Sequence, residues 1–102
     1  MILGLDVSTT RIGWAVIDKD RNLIDSSFYK TDKNKSLEER AQDFRTNVLE
    51  PLMVVHRIHE VRVEEPFSMF SGGKTTAKTM SSLQRFNGMI SLLVLQLFGK
   101  PP

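Results

Sequence analysis

Two carboxylates in this chain stand where an acid can do chemistry. Asp6 lies near the end of the apolar run Met1-Ile2-Leu3-Gly4-Leu5-Asp6-Val7, ahead of a small polar turn and a second apolar run, Ile12-Gly13-Trp14-Ala15-Val16-Ile17-Asp18. A carboxylate among apolar strand neighbours is costly unless a metal ion or a set of hydrogen-bond donors compensates its charge. The simpler role for Asp6 is to cap the turn by accepting from the amides of Ser8 or Thr9. Glu64 closes another short run, Glu60-Val61-Arg62-Val63-Glu64, whose alternation puts Val61 and Val63 on one face and Arg62 and Glu64 on the other. If the two runs are parallel neighbours, both acids stand at the carboxyl edge, where open α/β sheets place their sites. Two acids that close repel each other unless one is protonated or a cation lies between them. Oxygen ligands without cysteine point to Mg²⁺, with Mn²⁺ as the alternative. Glu65 is the second choice of ligand, because alternation turns it to the opposite side of the sheet.

The elements that must position these acids follow from pattern. Residues 2–7, 12–18 and 23–30 read as three extended segments joined by short polar connections, as in an antiparallel meander. Ser36 with Glu39 is a capping-box signature for a helix that begins near Leu37. Leu37, Ala41, Phe44, Val48, Leu52 and Val55 recur at helical spacing and give that helix one buried face, while Pro51 should kink or restart it. This helix can act as the crossover that returns residues 60–64 parallel to the first strand. Pro66 ends that strand. After a loop, a second helix runs from about residue 76 to residue 98, with Met80, Leu83, Asn87, Ile90, Val94 and Leu97 along one stripe. The fold expected is α/β, a mixed sheet of strand order 3-2-1-4 with a crossover helix and a second helix.

The chain has 102 residues, one domain's worth, with 14 Lys and Arg against 12 Asp and Glu and a net charge of +2. Every acid lies at or before Glu65, and the remainder carries only Lys74, Lys78, Arg85 and Lys100 as charges, which favours an anionic partner for the second half. The absence of cysteine excludes disulfides and thiolate metal sites and fits a reducing compartment. No basic lead precedes a long apolar core at the N-terminus, and the most apolar tract, residues 89–98, is too short for a bilayer. A soluble protein without a membrane partner is expected.

Gly4-Leu5-Asp6-Val7-Ser8-Thr9-Thr10, then Ile12-Gly13-Trp14-Ala15-Val16-Ile17, then Val63-Glu64-Glu65-Pro66-Phe67 resemble the RuvC-type Holliday junction resolvases of the ribonuclease H superfamily. The first segment is also similar to the opening RuvC motif of RNA-guided CRISPR nucleases, but there large insertions precede the second acid. The resemblance implies a ribonuclease H-like fold and a magnesium-dependent endonuclease that works as a homodimer on four-way DNA junctions, in a bacterial or phage-infected cytoplasm. It makes Asp6 and Glu64 catalytic metal ligands, since ions so bridged activate water and stabilise the leaving oxygen of a phosphodiester displacement. Phe67 falls where the family places an aromatic beside the junction centre, and a base could stack on it. Lys74, Lys78 and Arg85 would meet phosphates. Resolvases of this type continue into a final helix with further acidic ligands, for which this chain offers no substitute. Residues 1–102 are thus expected to be one nuclease domain lacking its C-terminal part and inactive alone.

Other readings compete with this one. Gly4-Leu5-Asp6-Val7-Ser8-Thr9-Thr10 also resembles the opening phosphate loop of sugar kinases of the actin-like superfamily, although residues 63–66 have no clear place there. A remnant that binds branched DNA without cutting is the non-enzymatic alternative. Gly73-Lys74-Thr75 suggests a P-loop but fails on spacing, because the required first glycine falls at Ser68. His56 and His59 could share a helix face as metal ligands, yet histidines closing a helix are ordinarily partners of its negative end.

Overall fold

A computed structural model describes residues 1–64 and 77–102. Three antiparallel strands open the chain, β1 (Ile2–Val7), β2 (Arg11–Ile17) and β3 (Leu23–Lys30). Helix α1 (Leu37–Phe44) follows and runs through one wide π turn, Arg45–Leu49, into α2 (Glu50–Val55). Strand β4 (Glu60–Val63) then pairs parallel to β1, giving the expected strand order 3-2-1-4, and α3 (Ala77–Phe98) closes the described chain. Among the described residues no helix is long and apolar enough to cross a membrane.

Alternation decides which face of the sheet is covered. Leu3, Leu5 and Val7 of β1 stand opposite Val16, Trp14 and Ile12 of β2, and with Val61 of β4 they pack under the helices. Phe44, Val48, Leu49, Leu52, Phe86, Ile90, Leu93 and Val94 supply the helical side of this core. Tyr29 extends it along β3, its ring 5.9 Å from that of Phe44. The alternate positions, among them Gly4, Asp6, Gly13, Ala15, Arg62 and Glu64, form the other face, on which no helix packs among the described residues.

Helix α1 starts as its sequence requires. The Ser36 hydroxyl accepts from the Glu39 amide at 3.1 Å and the Glu39 carboxylate accepts from the Ser36 amide at 3.1 Å. Pro51 restarts the helix rather than kinking it. It sits in the first turn of α2, where its missing N–H is harmless, and the π turn before it absorbs the change of register through Glu50 N–H donating to the Arg45 carbonyl.

Two apolar stripes depart from expectation. Val55, the last of the first stripe, is 72 % exposed, because α2 ends there and His56 is already extended. In α3 the buried set is Phe86, Ile90, Leu93 and Val94, so Phe86 and Leu93 join the stripe unforeseen and Asn87 is only half-buried. The two histidines lie apart. His56 closes α2, its amide donating to the Leu52 carbonyl and its Nε2 3.3 Å from Asp25, while His59 Nδ1 lies 2.7 Å from the Met1 amine.

Replacing Ser36 by alanine removes half of the capping box and should destabilise the fold by about 1 kcal/mol in urea unfolding. The hydrogen bond from the Ser36 backbone holds Glu39 below the ordinary carboxylate pKa, and that from the Asn22 backbone does the same for Asp18 in the β2–β3 turn. Both pKa values are depressed in the folded state, so the stability they contribute is complete above the ordinary carboxylate range and is lost as pH falls through it. The acid limb of the stability profile should be shallower in Asp18→Asn than in the parent.

Candidate metal centre and nucleic-acid edge

The pairing of β1 with β4 brings the two candidate acids together. Their register runs Ile2 with Glu60, Leu3 with Val61, Gly4 with Arg62 and Leu5 with Val63. One further step sets Asp6 beside Glu64, and the Glu64 amide donating to the Leu5 carbonyl at 3.1 Å carries the ladder that far. Both acids belong to the open face, and both line one depression of about 580 Å³ together with Gly4, Gly13, Ala15 and Arg62. The floor is low because its residues are small. A Cβ added at Gly13 would come to 3.9 Å from the Asp6 Cβ, and one at Gly4 to 3.9 Å from the Ala15 carbonyl oxygen.

Asp6 is exposed, not enclosed by apolar neighbours, because it points away from Leu5 and Val7 to the uncovered face. The expected burial penalty therefore does not apply, and its closeness to Glu64 takes that place in the case for a cation. Nor does Asp6 cap the turn. The Ser8 hydroxyl does so, donating to the Arg11 carbonyl at 2.7 Å and accepting from the Arg11 amide at 3.0 Å.

Two carboxylates side by side on an accessible edge fit a hard divalent cation by donor chemistry. No group of three His, Cys, Asp or Glu that could hold a metal occurs among the described residues. Arg62 lies on the same face between the acids of β4, with Nε 3.1 Å from the Glu60 carboxylate. The alternation of β4 alone puts it there, although its sequence carries no sign of a role.

The remaining sequence candidates are scattered. Phe67 and Lys74 lie outside the described residues, as do Glu65, Pro66 and the P-loop-like Gly73-Lys74-Thr75. Lys78 is exposed in the first turn of α3. Arg85 is exposed as well, and its guanidinium lies 3.3 Å from the Glu38 carboxylate. Two residues that no sequence motif singles out organise the neighbouring turn. Arg40 of α1 donates to the carbonyls of Thr9, Lys33 and Lys35 at 3.0, 3.1 and 3.0 Å, and the buried Thr31 donates its hydroxyl to the Thr9 carbonyl at 2.6 Å.

Known proteins resemble this chain in sequence and in fold. The chain is 37 % identical over 101 residues to the crossover junction endodeoxyribonuclease RuvC of Aliarcobacter butzleri, and 32 % identical to the RuvC proteins of Campylobacter hominis and Campylobacter curvus. Each match covers 96 % of this chain. By sequence, this chain is similar to RuvC over nearly its whole length. It spans about 60 % of the length of those curated relatives. A structure of T. thermophilus RuvC in complex with Holliday junction substrate superposes with a TM-score of 0.71 at 22 % identity, covering 93 % of this chain and 57 % of that one. A second T. thermophilus RuvC structure gives 0.59 over the same coverage. At that identity the superposition establishes the fold, which is the ribonuclease H-like fold of RuvC. No family model matches the chain.

Asn87 donates its side-chain amide to the Glu64 carbonyl at 3.1 Å, tying the end of β4 to α3. Asn87→Ala should cost about 1 kcal/mol, the net worth of one such bond, and should speed amide exchange at Glu64 more than at Val61.

Proposed function

We propose that this chain is a nuclease domain of the RuvC kind, one that binds branched DNA at the carboxyl edge of its sheet and directs a divalent metal, Mg²⁺ or Mn²⁺, through Asp6 and Glu64. The single observation that carries the reading is the register that makes these two acids neighbours on an accessible face. The RuvC names of the relatives supply the substrate class, a four-way junction, and the reaction class, phosphodiester hydrolysis. A bound ion would supply an activated water and compensation of charge on the leaving oxygen. The chain's own part is to set the carboxylates in place, to keep the floor low with Gly4, Gly13 and Ala15 so that a phosphate backbone can approach, and to offer Arg62 to that backbone as a cation. Lys78 and Arg85, seven residues apart on one side of α3, extend the positive surface. Phe67 and Lys74 keep the roles that the resemblance gives them, base stacking and phosphate contact.

Metal binding has a readout independent of cleavage. Titration with Mn²⁺ followed by electron paramagnetic resonance should show binding by the parent, weakened at least about tenfold by Asp6→Asn or Glu64→Gln, as expected when a carboxylate is removed from a hard-ion site. Equal Mn²⁺ affinity in all three proteins would refute the site. Cutting by residues 1–102 should stay slow in Mg²⁺ even where the junction is bound, since two carboxylates fill few of the roughly six positions of a hard ion. Binding without any cutting under every metal would favour the non-catalytic alternative.

Leu92 and Leu95 of α3 are 53 % and 43 % exposed, beyond what one buried stripe requires. They support a helix-mediated homodimer, in which each copy buries this face on the other. Sedimentation should show self-association of the parent at high concentration and its loss in Leu92→Lys/Leu95→Lys.

A further inference from the structure

A second cationic feature stands at the same edge of the sheet as the acids, on the side away from α3. Arg11, Lys30 and Lys33, with Ser8 and Thr10, line a groove of about 420 Å³ between the β1–β2 turn and the segment after β3. The groove is built rather than incidental. Arg40 and Thr31 both donate to the Thr9 carbonyl, Arg40 also holds the Lys33 carbonyl, and the Thr31 amide donates to the Thr10 carbonyl at 3.0 Å, so these bonds tie turn and linker together. Ser8 is occupied within the turn, which leaves the Thr10 hydroxyl and three cations to face the groove. The neighbouring Asp32 accepts from the Asn34 amide at 2.9 Å, and no acid lines the groove among the described residues.

Its charges are also arranged at a cost to the fold. Arg11 and Lys30 are register partners across β2 and β3, and like charges directly opposite one another destabilise a sheet. Among the described residues, none of Arg11, Lys30 and Lys33 forms a salt bridge. The Arg11 guanidinium instead lies over the Phe28 ring, 4.1 Å from its centroid, which orients the charge without neutralising it. Repulsive, oriented and unpaired cations match a polyanion that lies across them. Arg11 shares the open face with Asp6, since Arg11 and Gly13 are two apart on β2 and Gly13 is the register partner of Asp6.

We propose that Arg11, Lys30 and Lys33, with the Thr10 hydroxyl, form a second phosphate track that takes the DNA backbone on the β3 side of the acid pair, opposite the positive surface of α3. The proposal rests on the nuclease reading above and adds the path of the strand. A backbone held there crosses the edge of the sheet from β3 over β2 to the acids between β1 and β4. Each phosphate neutralised releases counterions, so the track contributes to the salt dependence of binding.

The test uses the 102-residue chain, a fluorescent synthetic four-way junction and a linear duplex, with affinity measured by anisotropy across a series of salt concentrations. Lys30→Gln/Lys33→Gln should weaken junction binding and lower the slope of log affinity against log salt by about two, near 0.9 for each phosphate that is no longer neutralised. Its thermal midpoint should equal or exceed that of the parent, because Lys30→Gln relieves the opposition to Arg11. A control of equal charge change, Lys19→Gln/Lys100→Gln, removes cations of the β2–β3 turn and the segment after α3, and should leave the slope near that of the parent. If the parent binds neither DNA, the DNA reading fails and the track with it. If the parent binds but the Lys30/Lys33 slope is unchanged, or the control lowers it equally, the track alone is overturned. A lowered midpoint in the Lys30/Lys33 variant would likewise overturn it, by giving these lysines a structural role.

Discussion

The parallel pairing of β1 with β4 is the constraint on which the rest depends. Parallel neighbours bring their carboxyl ends to one edge, and a period of two then fixes which side chains share a face. With Leu5 opposite Val63, the next position on each strand is an acid. A slip of one residue would turn Glu64 toward the helices and Val63 toward the open side, exposing a core residue and burying a charge. The apolar half of β4 therefore holds its acidic end in place. The register is as well determined as the core itself, since Val61 is buried against the same cluster as Leu3 and Leu5.

A one-sided sheet explains where function can sit. All of the described helices cover the face of Leu3, Leu5 and Val7, and this burial supplies the main favourable contribution to folding. The opposite face is freed from packing and can carry Gly4, Gly13 and Ala15, which contribute little to a core but admit close approach. The Asp6 and Glu64 charges sit on that face without an interior desolvation penalty. Their remaining cost is the repulsion between two neighbouring carboxylates.

Much of this was legible in the chain. The bounds of β1 and β3 follow from alternation between polar turns, and the start of α1 follows from Ser36 and Glu39, because these signals are local. The closeness of Asp6 to Glu64 was legible too, since it needs only one crossover and strand parity. What was not legible depends on partners distant in sequence. Thr31 looks like one more polar linker residue until its hydroxyl is found on Thr9, and Arg40 looks like a solvated helix charge until its three carbonyls are found. The stripe on α3 holds Ile90 and Val94 as expected but is wider than its spacing predicts, because helix rotation is set by packing on α1, β1 and β4, which also buries Phe86 and Leu93. The exposure of Asp6 is not legible in the chain, because an apolar strand sequence does not say whether both of its faces are covered.

Arg40 shows how the edge is held ready for a ligand. Its guanidinium is committed to backbone carbonyls of both the β1–β2 turn and the segment after β3, so it does not compete with the outward cations for an anion. Charge-assisted bonds of this kind are stronger than neutral ones, and their carbonyl acceptors belong to loops that would otherwise be the most mobile parts of the sheet. Acids and cations on either side of the β1–β2 turn are thus fixed relative to each other before any ligand arrives. The ordering free energy is met during folding, where the α1 capping box and the Phe44 core contacts support it, and not during binding. The same backbone bonds thus hold the cations on one side of the β1–β2 turn and the carboxylates on the other, so that opposite charges share one edge of the sheet without neutralising each other.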